Sequence, residues 1–186
     1  MLVELPLTRM RPDEAQFLFR FLLPQLRSEQ AVTASILAAV PGEAGDYRPG
    51  PKAMSAFEVA RHIAICELWF LDAILYGQFD EEERPPASAA TCAEIAGWYA
   101  ENTGRRMALL ERLSGDQLAR EIDSIGLRNA PAVAYLNIAI RHTVHHRGQL
   151  SAYLRGMGAR VPAIYVESAD EPFPPEDGSI VTPPAF

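Results

Sequence analysis

Apolar positions recur at helical spacing along most of the chain, and short stretches rich in proline and glycine interrupt them. The first apolar segment, 12–22, opens with a proline and two acidic residues, which suit the first turn of a helix. Pro24 cannot continue that helix without losing a hydrogen bond, but it can open a new one. The pattern therefore predicts a short helix over 12–22 and a second helix from about 24 to 39, followed by a surface loop over 41–54.

The most apolar segment of the chain follows this loop. Ser55 is a favourable N-cap, and Glu58, three residues later, completes a capping box. The predicted helix extends to about Gly77 and is apolar around most of its circumference, which is typical of a central, buried helix. A charged loop over 79–87, with two prolines near its end, follows it.

Two more helices are predicted in the second half of the chain. The first begins at about Ser88 or Thr91 and ends at about Leu113. Residues 115–129 are ambiguous and could include a short extended segment. The second helix is predicted over about 130–158, since glycines end its apolar pattern there.

The residues after this helix differ in kind, because 159–186 contain six prolines and no helical periodicity. They are predicted to form an extended tail. The pattern as a whole indicates an all-α protein, a four-helix bundle with a short extra N-terminal helix and a proline-rich extended C-terminal tail. We expect one domain spanning 1–186, with its core within about 24–158.

Composition excludes several classes of function. Apolar residues make up 48% of the chain, which indicates a globular protein. The net charge of −7 argues against binding to nucleic acid or to anionic lipid, since both require a basic surface. No stretch approaches the roughly 20 apolar residues of a membrane helix. The sequence shows no secretory signal, and Cys66 and Cys92 form no disulfide framework, so a cytoplasmic protein is predicted.

Three of the four histidines fall within five residues of the last predicted helix. His142 and His146 are four residues apart, so their side chains project from one face, one turn apart, and two imidazoles can reach one metal ion. That face also carries Tyr135 and Tyr153, which makes it the predicted inward face. His145 lies about 100° round the helix from His146 and is interpreted as a surface or supporting residue.

The remaining histidine, His62, lies in the middle of the most apolar helix. Burial of an imidazole costs free energy unless a partner satisfies it, and a metal ion is one such partner. Two interpretations stay open from the residues alone. Either His62, His142 and His146 hold one ion, or they are hydrogen-bonded core residues, because the HxxxH spacing also arises by chance.

A family resemblance favours the metal site. The segment HTVHHRGQL, residues 142–150, resembles the signature helix of the DinB/YfiT-like family of bacterial metalloenzymes. The stretches YRPGPKAMSAFEVARHIAICELWF and GARVPAIYVESADE resemble that family in the same order along the chain. The resemblance covers about 24–170, and it implies a four-helix bundle whose metal ligands are His62, His142 and His146.

Three imidazoles suit one divalent transition metal, with zinc or nickel favoured and iron or copper as alternatives. Three protein ligands leave at least one coordination position open, which is typical of a catalytic site. No residue stands out as the general base, so the catalytic residues stay unassigned. The side chains predicted to support the ligands are Glu58, Glu67, His145, Gln149 and Tyr153.

The resemblance implies an enzyme that is thiol S-transferase-like or hydrolase-like and acts on a small electrophilic substrate. A low-molecular-weight thiol is the expected partner, and a homodimer is the expected assembly. The alternative is a non-catalytic metal- or ligand-binding protein of a stress response. A third interpretation is a helical dimerisation module whose histidines are merely buried. The chain has no HExxH motif, which argues against a zincin peptidase.

Overall fold

The computed structural model describes residues 9–124 and 129–172, and within them the chain is mainly helical. Four long helices pack against one another, and a short helix and two short antiparallel strands lie between the third and the last of them. The elements are α1 (Pro12–Ala38), α2 (Ala56–Tyr76), α3 (Cys92–Leu110), α4 (Gly115–Ala119), β1 (Glu121–Asp123), β2 (Asn129–Pro131) and α5 (Ala132–Gly156), with a 3-10 turn at Gly42–Ala44. The predicted all-α bundle is confirmed, with a two-stranded sheet added to it.

The prediction of a separate short N-terminal helix is wrong, because Pro24 lies inside α1. Pro24 is exposed, so its ring and its missing N–H are on the solvent side of the helix. Leu22 and Leu26 pack into the core on the opposite side. Burial of this inner face along the whole helix outweighs a local cost on the order of 3 kcal/mol for an internal proline.

The predicted ends of α2 are confirmed. The Ser55 hydroxyl accepts a hydrogen bond from Glu58 N at 3.1 Å, and the Glu58 carboxylate accepts one from Ser55 N at 2.7 Å. Gly77 ends the helix with φ of 87°, a left-handed conformation that favours glycine. This cap fixes where α2 begins and therefore the turn on which His62 lies.

The other boundaries follow the pattern more loosely. Helix α3 begins after the N-cap Thr91 and ends at Leu110, three residues before the predicted end. The ambiguous segment 115–129 contains α4 and the first strand of the pair, so a short extended segment is confirmed there. Helix α5 agrees with its predicted range.

Residues 159–172 continue from α5 without a helix or strand and are tied back to it. Asp170 pairs with Arg155 of α5 at 2.5 Å and accepts a hydrogen bond from Val161 N at 2.8 Å. The rest of the predicted tail, 173–186, lies outside the described residues. None of the helices in the described part is both long and apolar enough to cross a membrane.

Candidate metal centre

The fold brings three histidines from two helices to one point. Helices α2 and α5 pack side by side, with His62 on α2 facing His142 and His146 on α5. The Nε2 atom of His62 lies 3.1 Å from the Nε2 atom of each of the other two histidines. The donor atoms of the group all lie within 4.8 Å of one another, so they could hold a metal ion.

Two of these nitrogen–nitrogen distances, 3.1 Å each, are close to the spacing expected around one shared ion. Two imidazole nitrogens bound to one zinc ion at about 2.0–2.1 Å and at a tetrahedral angle are about 3.3 Å apart. A neutral imidazole has one N–H and one ring nitrogen with a lone pair, so Nε2 of His62 can serve only one of its two neighbours. Three converging Nε2 atoms therefore leave hydrogen-bonding capacity unused, whereas one ion would satisfy all three.

The orientation of His146 is fixed by two residues predicted to support the ligands. The Nδ1 atom of His146 lies 3.1 Å from Oε1 of Gln149. An amide oxygen only accepts, so Nδ1 carries the ring proton and donates a hydrogen bond to this oxygen. The side-chain amide of Gln149 in turn donates to the Tyr153 hydroxyl at 2.9 Å. Nδ1 protonation leaves the lone pair of Nε2 free, which is the tautomer that a metal ligand requires.

The other two rings have weaker support. Cys66 Sγ lies 3.4 Å from Nδ1 of His62, and burial raises the pKa of this thiol to about 11. Cys66 does not belong to the converging group. The Nδ1 atom of His142 is buried without a hydrogen-bond partner among the described residues. The ring of Phe70, 5.9 Å away between centroids, packs against it.

Burial favours the neutral form of two of the imidazoles. Burial first, and then the neighbouring His146, His62 and His145, lower the pKa of His142 to about 4. Burial also lowers the pKa of His62, and the proximity of His146 adds to this effect. Neutral imidazole is the form that binds a metal.

Three of the other predicted residues lie elsewhere. The Glu58 carboxylate is engaged in the cap of α2 and pairs with Arg48 at 2.9 Å. The Glu67 carboxylate is completely buried and bonds to side chains of three other helices. Neither acid belongs to the converging group. His145 is exposed, with its ring 4.8 Å from that of His146, as the helical projection predicts.

The sequence analysis did not single out Glu82, which lies in the loop between α2 and α3. Burial and His146 lower the pKa of His62, and the negative charge of Glu82 offsets part of this; it also adds to the raised pKa of Cys66, which burial mainly causes. The Glu82 carboxylate pairs with Arg84 at 3.2 Å. The loop is anchored on both sides of Glu82. Trp69 Nε1 donates to the Asp80 carbonyl at 2.7 Å, and Glu83 accepts from Arg106 at 2.6 Å. The acidic run DEEE was the available signal, but a run of charge does not reveal which member faces a site.

A cavity of about 470 Å³ opens on the side of α2 that carries Arg61, the residue before His62. The Arg61 guanidinium lies over the Phe57 ring, 5.9 Å from its centroid. The other walls are the 3-10 turn and the end of the loop that carries Glu82; they comprise Gly42, Glu43, Gly45, Asp46, Pro85, Pro86, Ala87, Ala89 and Ala90. Its volume suits a small molecule.

Comparison with known proteins agrees with the resemblance found in the sequence. The chain matches the profile of the DinB family over residues 16–177. It is 31% identical over 134 residues to the uncharacterized protein YjoA of Bacillus subtilis (strain 168). The aligned residues cover 70% of this chain and 85% of YjoA.

Two crystal structures share the fold. That of YjoA, a DinB-like protein, superposes with a TM-score of 0.65 at 28% identity, covering 77% of this chain and 97% of YjoA. That of a DinB-like protein from Bacillus cereus ATCC 10987 gives a TM-score of 0.68 at 24% identity, covering 78% of this chain and 97% of that protein. With a family match across most of its length and a relative above 30% identity, the chain belongs to the DinB family.

Proposed function

We propose that this protein is a metal-dependent enzyme that uses one divalent transition metal, zinc or nickel, held by His62, His142 and His146. The observation that carries the proposal is the convergence of three Nε2 atoms, with His62 at 3.1 Å from both partners. The proposed reaction is transfer of a low-molecular-weight thiol to a small electrophile, or hydrolysis of such an electrophile.

Three histidine ligands leave coordination positions open for a small molecule. A divalent ion in such a site lowers the pKa of a coordinated water or thiol and so supplies a nucleophile near neutral pH. Gln149 orients His146 through Nδ1, and the desolvated surroundings keep His142 neutral. Glu67 is completely buried and does not face a substrate, so no residue is assigned the role of general base.

The cavity beside Arg61 supports a small-molecule substrate. The end of the loop that carries Glu82 forms part of its wall, and Arg61 precedes His62 on α2, but none of the three histidines lines it. Arg61 has a guanidinium that faces an aromatic ring, and it provides a positive charge for an anionic group of the substrate.

Tag-free protein reconstituted with zinc or nickel tests this proposal. We expect one ion per chain by elemental analysis and conjugation of bacterial thiols to electrophiles such as epoxides and chlorodinitrobenzene. His142→Ala is expected to abolish both metal retention and conjugation. Turnover that is unchanged in His142→Ala would contradict a role for the metal site in catalysis.

A second candidate function is non-catalytic binding of a metal or ligand. Glu67, the first acidic residue after His62, is completely buried and cannot reach substrate, which favours this function. The two functions differ in turnover. Metal binding with ligand exchange but no product, across thiols and electrophiles, would support the binding protein over the enzyme.

We also propose that the protein acts in the cytoplasm as a homodimer. Phe17 and Phe21 lie one turn apart on α1 and are 76% and 64% exposed, which is a large apolar surface for two side chains. Sedimentation equilibrium is expected to give a dimer for the wild type and for Tyr76→Ser, in which another exposed aromatic is removed. A monomer is expected for the Phe17→Ser, Phe21→Ser double variant, and a monomeric wild type would contradict the proposal.

A further inference from the structure

A buried carboxylate joins the four long helices. Glu67 on α2 is completely buried, and its Oε1 atom accepts a hydrogen bond from Gln30 of α1 at 2.8 Å. Its Oε2 atom accepts one from the Tyr99 hydroxyl of α3 at 2.9 Å and one from the Thr143 hydroxyl of α5 at 2.7 Å. Tyr99 and Thr143 are also fully buried. Each helix therefore contributes one polar side chain to a single point of contact, which we call the Glu67 junction.

The group of His62, His142 and His146, which we call the histidine centre, connects α2 with α5. The Glu67 junction connects the same two helices through Glu67 and Thr143. Thr143 follows His142 directly and precedes His146 by three residues. Because an α-helix is rigid over one turn, the Glu67–Thr143 hydrogen bond determines how far along α2 the two α5 histidines lie. A shift of one residue along a helix is 1.5 Å, whereas metal–nitrogen distances vary by only about 0.2 Å between functional sites.

Apolar contacts alone specify the position of α5 along α2, the register of the two helices, less sharply than the Glu67–Thr143 hydrogen bond does. The core clusters to which α2 and α5 contribute are rich in alanine, leucine and isoleucine, and their hydrophobic contribution is non-directional and depends mainly on the area buried. A buried carboxylate loses its hydrogen bonds when the helices shift, and an unsatisfied buried carboxylate is costly. The polar junction thus selects one arrangement of the helices.

We propose that Glu67 is the positioning residue of the histidine centre: through Thr143 it fixes the register in which His142 and His146 meet His62. This inference rests on the proposed metal site, and it gives Glu67 a role other than that of a base or of a partner for an imidazole N–H. Glu67 acts on the metal ligands through Thr143 and touches neither substrate nor ion.

Thr143→Val tests the proposal with the least disturbance, because valine keeps the shape of threonine and removes only its hydroxyl. The matched control is Thr103→Val on α3. Thr103 is also buried, but within the described part of the chain its hydroxyl bonds only to the Tyr99 and Ala100 carbonyls of its own helix. The measurements are the affinity for Co²⁺, the absorption spectrum of the Co²⁺ complex and the melting temperature of the metal-free protein.

We expect Thr143→Val to weaken Co²⁺ binding by about tenfold or more, as loss of a residue that supports metal ligands does, and to alter the visible spectrum. Thr103→Val is expected to keep wild-type Co²⁺ affinity and spectrum, because its hydroxyl bonds to carbonyls of α3. In Glu67→Gln the amide oxygen still accepts from Gln30, and the amide N–H groups can donate to the hydroxyl oxygens of Tyr99 and Thr143. This variant is therefore expected to retain tighter Co²⁺ binding than Glu67→Leu, which forms none of these hydrogen bonds.

The possible failures are distinguishable. Wild-type Co²⁺ affinity and spectrum in Thr143→Val would overturn the positioning role of Glu67 and leave the proposed metal site intact. Equal losses in Thr143→Val and Thr103→Val would also overturn it, because they would reduce the effect to general stability. A wild-type protein that binds no Co²⁺ would overturn both the proposed function and this inference.

Discussion

The histidine centre and the Glu67 junction are two polar clusters in the same bundle, and they differ in how completely they are satisfied. Glu67 is an acceptor surrounded by three donors, so every member has a complementary partner. The histidine centre brings together three imidazole Nε2 atoms. The Nε2 atom of His62 lies within hydrogen-bonding distance of both others but can form a hydrogen bond with only one of them. A cluster that satisfies itself stabilises a fold, whereas a cluster that leaves its atoms unsatisfied has room for something else.

The largest expected effect of this difference is on stability in the presence of metal. Saturation with Zn²⁺ at about a thousandfold above its dissociation constant is expected to stabilise the protein by about 4 kcal/mol. For a chain of this size that corresponds to a rise in melting temperature of roughly 8–16 °C. Calorimetry with Zn²⁺ and after addition of EDTA measures it. The Glu67 junction requires no ion, so the metal-free protein should still unfold cooperatively; an unchanged melting temperature would contradict the account.

Removal of one histidine is expected to have the next largest effect. His142→Ala deletes one of three donors and is expected to weaken Zn²⁺ binding by more than about 100-fold, beyond the range for supporting residues. His145→Ala is the matched control, since His145 is exposed and outside the converging group. Competition titration against a chelating dye compares them. Equal affinity in the two variants would remove the distinction between converging and neighbouring histidines.

Gln149→Leu tests how the ring of His146 is held, since Gln149 accepts a hydrogen bond from its Nδ1 atom. The substitution removes the acceptor of His146 Nδ1, so the ring loses both its orientation and its tautomer preference. A loss of about tenfold in Zn²⁺ affinity is expected. Ser151→Ala is the control on the same helix, because the Ser151 hydroxyl bonds to the Arg147 carbonyl of α5. Wild-type affinity in Gln149→Leu would mean that packing alone orients His146.

The smallest expected effect concerns the loop between α2 and α3. Glu82→Gln removes a negative charge that acts on His62, and a partly exposed charge contributes at most about 1 kcal/mol, or roughly fivefold in Zn²⁺ affinity. Glu81→Gln is the control in the same acidic run, and Glu81 is exposed. The difference between the variants should shrink as salt concentration rises. An effect of equal size for both residues would indicate general attraction of cations to the loop.

The parts of this structure that depend on local pattern could be predicted from the sequence. The capping box at Ser55, the glycine end of α2 and the shared face of His142 and His146 all follow from interactions within a few residues. Such spacing brought the three histidines forward as candidates, although it could not distinguish coordination from ordinary burial.

Other features depend on contacts between distant segments, which spacing does not reveal. Pro24 stays helical because core packing on the opposite side outweighs its local cost. The role of Glu67 depends on donors from three other helices, and that of Glu82 depends on how Trp69 and Arg106 anchor a loop. In each case the residue type was visible in the sequence, and the partner that decides its role was not.

X-ray absorption spectroscopy of the zinc-loaded protein tests the central claim most directly, because it reports the ligand atoms around the ion. We predict one ion per chain with imidazole nitrogens at about 2.0–2.1 Å and no sulfur at about 2.3 Å, since Cys66 lies outside the converging group. A spectrum without imidazole scattering, or one with sulfur bound to the ion, would contradict it.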